Sequence, residues 1–314
     1  MTRDVMIGAN GLTKRYGIET VFEGLGFQIG RGERVALLGV NGAGKTTLFR
    51  CLLGLTGFDG ELIVDGLRVR PDNPEVRARL AYVPQLPPVY DLRLAEFVAL
   101  FAGLRGIPVE RVQKRLDELG LSLEGAGRQP LRDLSGGMLQ KAYLALALAA
   151  RARVVLLDEP TASLDPASRR EFLRHLVAIE PGTTVILASH RLEEIEPLAE
   201  RILVLDAGRL LFDGSLSALW AMVDAEAGLW IDIPEGRRPE AAEVLRRHPA
   251  VREAKPNGIG VQIAVAGFAY LDVLLHLQRH EVPVREFRTR PPALEDVMER
   301  LVGFNGDRGE GRSR

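Results

Sequence analysis

A glycine-rich turn between an apolar strand and a helix is the feature that most constrains how this chain folds. Residues 34–38 are predicted to form a buried strand, and an amphipathic helix is predicted to begin just after residues 39–47, whose sequence is GVNGAGKTT. Glycines in such a turn allow successive backbone N–H groups to point at phosphate oxygens, and the N-terminus of the helix favours an anion. The turn therefore matches the P-loop pattern of nucleotide-binding proteins.

Two side chains of this turn carry chemistry in that pattern. Lys45 is expected to reach the β- and γ-phosphates, and the hydroxyl of Thr46 is expected to bind Mg²⁺. A purely structural turn is the alternative, but the chain has only five lysines, so a lysine at the required place argues for nucleotide binding. The predicted phosphate-binding residues are Gly39, Val40, Asn41, Gly42, Ala43, Gly44, Lys45, Thr46 and Thr47.

The chain also contains an acidic pair suited to a nucleotide site. Residues 154–157 are predicted to form another buried strand, and Asp158 and Glu159 follow it directly. The carboxyl ends of parallel strands meet at one edge of a sheet, which is where α/β proteins bind ligands. Asp158 is therefore expected to hold magnesium through water, and Glu159 is expected to polarise an attacking water.

The order of predicted elements divides the chain into domains. Over residues 1–219, short antiparallel strands come first, and then apolar runs suited to parallel strands alternate with helices, with a helical subdomain at about 86–150. Residues 220–302 follow a β-α-β-β-α-β order, with a hairpin turn at 256–258, which is the split βαβ arrangement of ferredoxin-like domains. Residues 303–314 are rich in glycine and arginine and are predicted to be a disordered tail. We therefore expect an α/β domain followed by a small α+β domain.

Composition limits the partners and the location. Lys and Arg total 41 against 42 Asp and Glu, a net charge of −1, which argues against nucleic acid as a partner. The single cysteine excludes an internal disulfide and indicates a reducing compartment. The apolar run at residues 142–150 is well short of the ~20 residues that a membrane span needs. We therefore expect a cytoplasmic protein.

Further motifs resemble those of the ATP-binding cassette (ABC) ATPases and occur in the order of that family. In chain order they are Tyr16 for the aromatic residue that stacks on adenine, residues 82–85 for the Q-loop, residues 134–138 (LSGGM) for the signature motif, residues 163–166 for the D-loop, and residues 189–190 for the switch histidine. The chain is thus identified as a member of that family. This implies a P-loop NTPase cassette with a parallel core sheet, an antiparallel β subdomain and a helical subdomain.

The resemblance implies roles for the matching residues. Ser135, Gly136 and Gly137 would contact the γ-phosphate that is bound by the opposite subunit. Gln85 would sense the metal and the nucleophilic water, and His190 would hydrogen-bond the γ-phosphate. The implied catalytic residues are Glu159, His190 and Gln85, and the implied metal site consists of Thr46, Gln85 and Asp158.

One position departs from the family pattern. The usual signature has glutamine where this chain has Met138. The serine and glycines that contact phosphate are present, so we expect ATP to be sandwiched between two cassettes, without a polar contact from the fifth signature residue.

A single cassette has one P-loop and one signature, so the resemblance implies a second cassette, with a homodimer as the expected pair, and a separate transmembrane permease. The permease would hold the chain at the inner face of the cell membrane. Residues 291–303 resemble the ending of cassettes from type-2 exporters, a group that includes copper-enzyme maturation ATPases. The alternative is a soluble ABC ATPase in cofactor assembly or other mechanochemical work, without transport.

The five residues after Gln85, which run from Leu86 to Tyr90, are apolar and include two prolines. Such a run belongs either to a core or to an interface, and prolines make it a poor core helix. In the resembled family a membrane subunit docks beside this loop. We therefore expect Leu86, Val89 and Tyr90 to contact the permease.

Two other features favour a structural interpretation. Cys51 lies in the helix after the P-loop and is expected to be a small core residue rather than a redox switch. His276 and His280 are four residues apart on a predicted helix, which is possible metal-ligand spacing, but exposed helix histidines are the more common case.

Overall fold

Three β-sheets organise the residues that the structure, a computed structural model, describes: 4–222, 226–258, 260–266, 269–290, 297–298 and 300–301. The chain divides into two units, residues 1–213 and residues 214–314. This division falls a few residues before the predicted boundary at residue 219.

The first unit contains the core sheet, an antiparallel sheet and most of the helices. Its strands are β1 (Val5–Tyr16), β2 (Glu19–Gly30), β3 (Arg34–Leu38), β4 (Asp59–Val64), β5 (Leu67–Arg68), β6 (Leu80–Val83), β7 (Val154–Asp158), β8 (Thr184–Ala188), β9 (Arg201–Asp206) and β10 (Arg209–Gly214). Its α-helices are α1 (Lys45–Leu52), α2 (Pro74–Arg79), α3 (Leu94–Arg105), α4 (Val109–Glu118), α5 (Leu123–Ala126), α6 (Gly136–Ala149), α7 (Pro166–Val177) and α8 (Leu192–Ile195). A 3₁₀ turn lies at Leu131–Asp133.

Parallel strands form the centre of the first unit. The six-stranded sheet has the order β10-β9-β3-β8-β7-β6, and the strands from β9 to β6 pair in parallel. Every residue of β7 and β8 is buried, as expected for continuous apolar strands that are covered on both faces. The parallel arrangement brings the carboxyl ends of β3, β6, β7 and β8 to the same edge of the sheet.

The antiparallel sheet packs against the helix that follows the P-loop. Its order is β2-β1-β4-β5, and apolar residues such as Phe22 and Phe49 share one core with the central sheet. The turn between β4 and β5 adds a polar tie, because the buried carboxylate of Asp65 accepts hydrogen bonds from Arg31 at 3.0 Å and from Arg153 at 2.7 Å. Arg31 precedes β3 and Arg153 precedes β7, so these contacts fix the antiparallel sheet to the amino-terminal ends of two core strands.

The helices between β6 and β7 build a second apolar core beside the sheet. Helix α4 buries Val112 and Leu116, which lie one turn apart on the same face. Helix α6, with 14 residues, buries its leucines and alanines in the same cluster, which extends to β6, β7 and α7. The signature helix is therefore held by the helical core on one side and by the sheet on the other.

The second unit has a sheet of its own with two helices packed on it. Its elements are α9 (Leu216–Met222), β11 (Glu226–Asp232), a 3₁₀ turn at Glu235–Arg237, α10 (Arg238–Arg246), β12 (Val251–Asn257), β13 (Gly260–Ala266), α11 (Tyr270–Arg279) and β14 (Glu286–Arg290). The strand order β12-β13-β11-β14, with every pair antiparallel, is that of the predicted ferredoxin-like split βαβ arrangement. Leu229, Ile231, Leu245 and Leu277 are in its core.

One hairpin of this unit differs from the expectation. Pro256 and Asn257 were expected in the hairpin turn, but they lie in β12 and pair with Val261 and Gly260. Because β12 is an edge strand, proline can extend it without breaking a ladder between two neighbours. The predicted disordered tail, residues 303–314, lies outside the described residues. Within the described part of the chain, no helix combines the length and the apolar character that crossing a membrane requires.

Candidate nucleotide-binding and hydrolysis site

The P-loop adopts a conformation that glycine makes possible at two positions. Gly44 has a φ of 97°, and a Cβ atom there would lie 2.5 Å from the ring of Phe22. At Gly39 a Cβ atom would lie 2.5 Å from the carbonyl oxygen of Leu205. The loop is thus clamped between the antiparallel sheet and β9, and α1 begins directly after Gly44. The backbone N–H groups at this helix start are suited to bind an anion.

Lys45 is buried inside the loop. Its Nζ donates to the carbonyl oxygens of Gly39 at 2.7 Å and Val40 at 3.3 Å. Burial lowers the pKa of Lys45, although the negative charges of Glu159 and Asp158 oppose the shift. A desolvated ammonium held by neutral carbonyls gains most from a negatively charged partner, and phosphate is such a partner.

Asp158 lies at the end of β7 and is almost fully buried. Its Oδ2 accepts hydrogen bonds from Thr46 Oγ1 at 2.8 Å and from Tyr82 OH at 3.1 Å. Burial raises the pKa of Asp158 against the opposing effect of these two bonds. The hydroxyl and carboxylate that sequence analysis assigned to magnesium are therefore adjacent. Tyr82, whose position in the Q-loop segment gave no hint of a role, completes this group.

Gln85 and His190, which are distant from each other in sequence, both contact one carboxylate oxygen of Glu159. Gln85 Nε2 donates to Glu159 Oε2 at 3.3 Å, and His190 Nδ1 lies 3.2 Å from the same oxygen. Glu159 has a φ of 44°, and its N–H donates to the carbonyl of Ala188 at 2.8 Å. Left-handed backbone is uncommon outside glycine and persists where the surroundings impose it, often at functional sites.

Tyr16 is half-exposed at the end of β1, and a lysine covers one face of its ring. Lys14 Nζ lies 4.2 Å from the ring centroid, and it also donates to the carbonyl oxygen of Gly57 at 2.7 Å. Lys14 is buried beside the tyrosine. Lys14 was not predicted from the sequence. Its signal was the spacing, because side chains two residues apart in a strand share a face.

The signature residues form the start of α6. Ser135 is the N-cap, and its Oγ accepts from the backbone N–H of Met138 at 3.2 Å. A Cβ atom at Gly136 would lie 3.5 Å from Ser163, and one at Gly137 would lie 3.4 Å from Leu164, so the signature lies against the D-loop. Within residues 4–222, no hydrogen bond or ion pair joins the signature to the P-loop of the same chain.

The neighbours of the signature do not replace the missing glutamine. Met138 packs against the helical core, and Lys141 forms an ion pair with Glu171 at 3.1 Å. Gln140 is fully buried and donates from Nε2 to the carbonyl oxygen of Pro84, just before Gln85, at 3.2 Å. Gln140 was missed as a support for the Q-loop because its partner lies far away in sequence.

Cys51 is a buried core residue as expected, whereas His276 is half-buried and His280 is exposed. Cys51 is buried, and burial raises its pKa to about 11, so the thiol stays protonated near neutral pH. His276 Nε2 lies 3.1 Å from the carbonyl oxygen of Val244, and His280 Nδ1 lies 2.9 Å from that of His276. No group of three or more His, Cys, Asp or Glu suited to a metal ion occurs in the part of the chain that the structure describes.

A P-loop after β3, an acidic pair at the end of β7 and a histidine after β8, the parallel strand that lies between these two in the sheet, define a P-loop ATPase. Residues 22–162 match the family model described as ABC transporter. The chain is 35% identical over 309 residues to the Nod factor export ATP-binding protein I of Ralstonia nicotianae, covering 95% of this chain and 94% of that protein. It is 33% identical over 319 residues to the daunorubicin resistance ATP-binding protein DrrA2 of Streptomyces coeruleorubidus, covering 98% of each.

Solved structures give the same result. An ATP-binding subunit of an ABC transporter superposes with a TM-score of 0.62 at 27% identity, covering 69% of this chain and 92% of that one. A dimeric cassette in a post-hydrolysis state, bound to ADP and phosphate, superposes with a TM-score of 0.61 at 26% identity, covering 67% and 99%. The chain belongs to the ABC transporter family, as an ATP-binding subunit that hydrolyses ATP. The resemblance and the fold class inferred from the sequence are confirmed.

Proposed function

We propose that this subunit powers export through a separate membrane permease and that it works as a pair of cassettes. Its relatives support export as the direction, since they include proteins named for Nod factor export, daunorubicin resistance and linearmycin resistance. The observation that carries coupling to a permease is an exposed apolar segment, residues 86–90, directly after Gln85.

The residues around Glu159 are suited to hydrolyse the bond between the β- and γ-phosphates of ATP. Glu159 is the proposed general base, because it is a carboxylate held at the edge of the sheet between Gln85 and His190. Gln85 orients the attacking water through its amide, and His190 donates a hydrogen bond to the γ-phosphate. Lys45 leaves its carbonyl partners and neutralises the β- and γ-phosphates.

The oxygens of Thr46 and Asp158 fit Mg²⁺. Hard cations prefer oxygen ligands, and the two groups already share a hydrogen bond at 2.8 Å in a buried position. Gln85 is the third proposed contact of this site. When bound, the ion neutralises charge on the phosphates. A carboxylate whose pKa is raised by burial gains by facing a cation, which accounts for an otherwise unfavourable position.

The signature residues are proposed to act on the ATP bound by a second cassette. Ser135, Gly136 and Gly137 open a helix and therefore present backbone N–H groups to an anion. In this chain they lie against the D-loop rather than the P-loop. A second copy of the chain, placed with its P-loop against this helix, would complete both sites. A homodimer is the simplest pair that meets this requirement.

The segment after Gln85 is anchored at its inner side and exposed at its outer side. Tyr143 on α6 donates from its hydroxyl to the carbonyl oxygen of Pro88 at 2.8 Å, and Tyr90 stacks on Phe97 of α3 with ring centroids 5.7 Å apart. The side chain of Leu86 is 82% exposed, Val89 52% and Tyr90 50%. Apolar side chains fixed in this way on the surface indicate an interface.

Copurification tests this proposal. Tyr90→Asp in the full-length chain should keep most of the basal ATPase activity and abolish copurification with the coexpressed permease, because a charge would be buried in the contact. Leu55→Asp is the matched control, since Leu55 is 64% exposed outside the segment, and it should retain both properties. Unchanged copurification of Tyr90→Asp would remove the docking role, and full function without any membrane partner would favour the soluble assembly ATPase.

A further inference from the structure

We propose that Glu194 is a positioning residue that fixes the D-loop and the switch histidine relative to each other. Glu194 lies in the short helix α8, and only 1% of it is exposed. One carboxylate oxygen accepts a hydrogen bond from Thr161 Oγ1, and the other accepts one from Ser189 Oγ at 2.7 Å. The inference rests on the proposed function, because it assigns Glu194 a part in that hydrolysis.

The two hydroxyl partners belong to two different functional loops. Thr161 follows Glu159 by two residues, and its carbonyl oxygen accepts from the N–H of Leu164 at 3.0 Å, which builds the turn that carries the D-loop. Ser189 directly precedes His190, and its Oγ also accepts from the backbone N–H of Arg191 at 3.0 Å. The carboxylate of Glu194 therefore ties the segment after Glu159 to the segment around His190.

A positioning role explains why the carboxylate of Glu194 is buried better than a contribution to the stability of the fold does. Taking a carboxylate out of water is costly, and apolar residues of similar volume often serve a core equally well. The nearest cation is the Nε of Arg191, 3.7 Å from one oxygen, which is a distant ion pair. Two hydroxyl donors on two separate oxygens instead fix the spacing between the loops.

That spacing matters because both loops reach the proposed site. His190 Nδ1 lies 3.2 Å from Glu159, while Ser163 and Leu164 of the D-loop lie against Gly136 and Gly137. Without Glu194 the switch histidine and the signature side of the cassette could shift independently. Hydrolysis depends on such placement, whereas ATP binding at the P-loop does not.

Three substitutions separate geometry from charge. Glu194→Gln keeps the length, and because hydroxyls accept as well as donate, the amide can bond to both Thr161 and Ser189. Glu194→Asp keeps the charge but is one methylene too short, and Glu194→Ala removes the group. We expect kcat within about threefold of wild type for Gln, and a fall of about tenfold or more for Asp and Ala, since small misplacements are costly to catalysis.

The decisive readout is the split between kcat and KM, measured with each variant at a temperature where circular dichroism shows it folded. KM and the ATP dissociation constant should stay within about twofold of wild type for all three variants, because the P-loop is untouched. Wild-type kcat in folded Glu194→Ala, or a higher kcat for Asp than for Gln, would overturn the inference. Weakened ATP binding in proportion to the loss of kcat would also overturn it.

A double-mutant cycle gives an independent check. Thr161→Val should lower kcat in the wild-type background and have no further effect in Glu194→Ala, because its partner is gone. Ser189→Ala should lower kcat less in Glu194→Ala than in the wild-type background, because only its bond to the N–H of Arg191 then remains to be lost. Additive losses would contradict the shared network. Failure of the proposed function itself is distinguishable, since it would appear as undiminished hydrolysis by Glu159→Gln in a chain with an intact Glu194.

Discussion

The P-loop edge of the core sheet and the start of α6 are both suited to bind phosphate, yet they differ in how their groups are held. At the P-loop edge charges are buried: burial raises the pKa of Asp158 and lowers that of Lys45, and Glu159 has a left-handed backbone. At α6 the donors are neutral backbone groups, and Ser135 caps the helix in the ordinary way.

This difference indicates that the two regions meet their ligand in different ways. At the P-loop edge burial disfavours the charged forms of Asp158 and Lys45, and a cation facing Asp158 or a phosphate facing Lys45 would offset that cost. The signature region is already satisfied and adds only directed N–H groups. We therefore expect the P-loop edge to dominate binding within one chain, and the signature to matter only when a second chain supplies the nucleotide.

The largest effect should come from the proposed base. Glu159→Gln keeps the shape of the side chain and removes the base, so kcat should fall by about 10²-fold or more, the range of a general base contribution. ATP binding should remain, and the nucleotide-bound dimer should accumulate in size-exclusion chromatography. Lys45→Ala is the contrasting variant and should lose phosphate binding itself. Turnover by Glu159→Gln at the wild-type rate would refute the assignment.

Mixing two inactive variants should restore part of the activity if the signature works only in trans. Lys45→Ala has an intact signature, and Ser135→Arg has an intact P-loop, so each heterodimer contains one complete site. An equal mixture should recover up to about a quarter of wild-type ATPase activity, the share expected for random pairing in a symmetric dimer. If the mixture is no more active than its components, the two regions act within one chain.

The stability of the nucleotide-free chain should show the same contrast. Asp158→Asn can keep both hydrogen bonds without the buried charge, and we expect its Tm to rise by about 2–4 °C, as ~1 kcal/mol gives in a domain of this size. Ser135→Ala should instead lower Tm, because it removes a helix cap worth about 1 kcal/mol. With magnesium and ATP present, Asp158→Asn should instead have a lower Tm than the wild-type chain. A lower Tm of Asp158→Asn without nucleotide would show that the charge is stabilising.

The Tm difference between Asp158→Asn and the wild-type chain should depend on pH with a defined sign. Burial raises the pKa of Asp158 above its unfolded value, so the folded chain binds this proton more tightly than the unfolded chain does. The stability that the protonated carboxyl contributes is fully present below the unfolded pKa and is lost as the pH rises through the folded pKa. The Tm advantage of Asp158→Asn should therefore shrink as the pH falls.

The smallest effect concerns Tyr16, which is proposed to stack on adenine. Lys14→Met keeps an apolar stem and removes the ammonium beside Tyr16, so ATP and ADP should bind about two- to fivefold more weakly, the size of a cation–π contribution. Binding of inorganic tripolyphosphate, measured by calorimetry, should not change. Lys255→Met, at an exposed lysine of the second unit, is the control. Equal weakening of tripolyphosphate would mean that Lys14 acts on the phosphates.

Local patterns in the sequence predicted much of the fold and of the candidate site. The P-loop, Asp158 and Glu159 carry their chemistry in consecutive residues next to an apolar strand, and the split βαβ order follows from periodicity. Tyr82, Gln140 and Glu194 could not be found in this way, because each depends on a partner that tertiary packing brings close. Pro256 was misplaced for a related reason, since only the sheet order shows that its strand lies at an edge.

Helix α6 should link the timing of hydrolysis at the two ATP sites of the proposed dimer. In the proposed dimer its first turn would present the signature to the partner's nucleotide, while Gln140 and Tyr143, further along, hold the carbonyl oxygens of Pro84 and Pro88 on either side of Gln85. In that dimer a single helix would contact both the Q-loop of its own site and the phosphate of the other. If the proposed permease contact moves residues 86–90, both ATP molecules of the pair should respond in the same step, so hydrolysis in the assembled transporter should show a Hill coefficient above one for ATP.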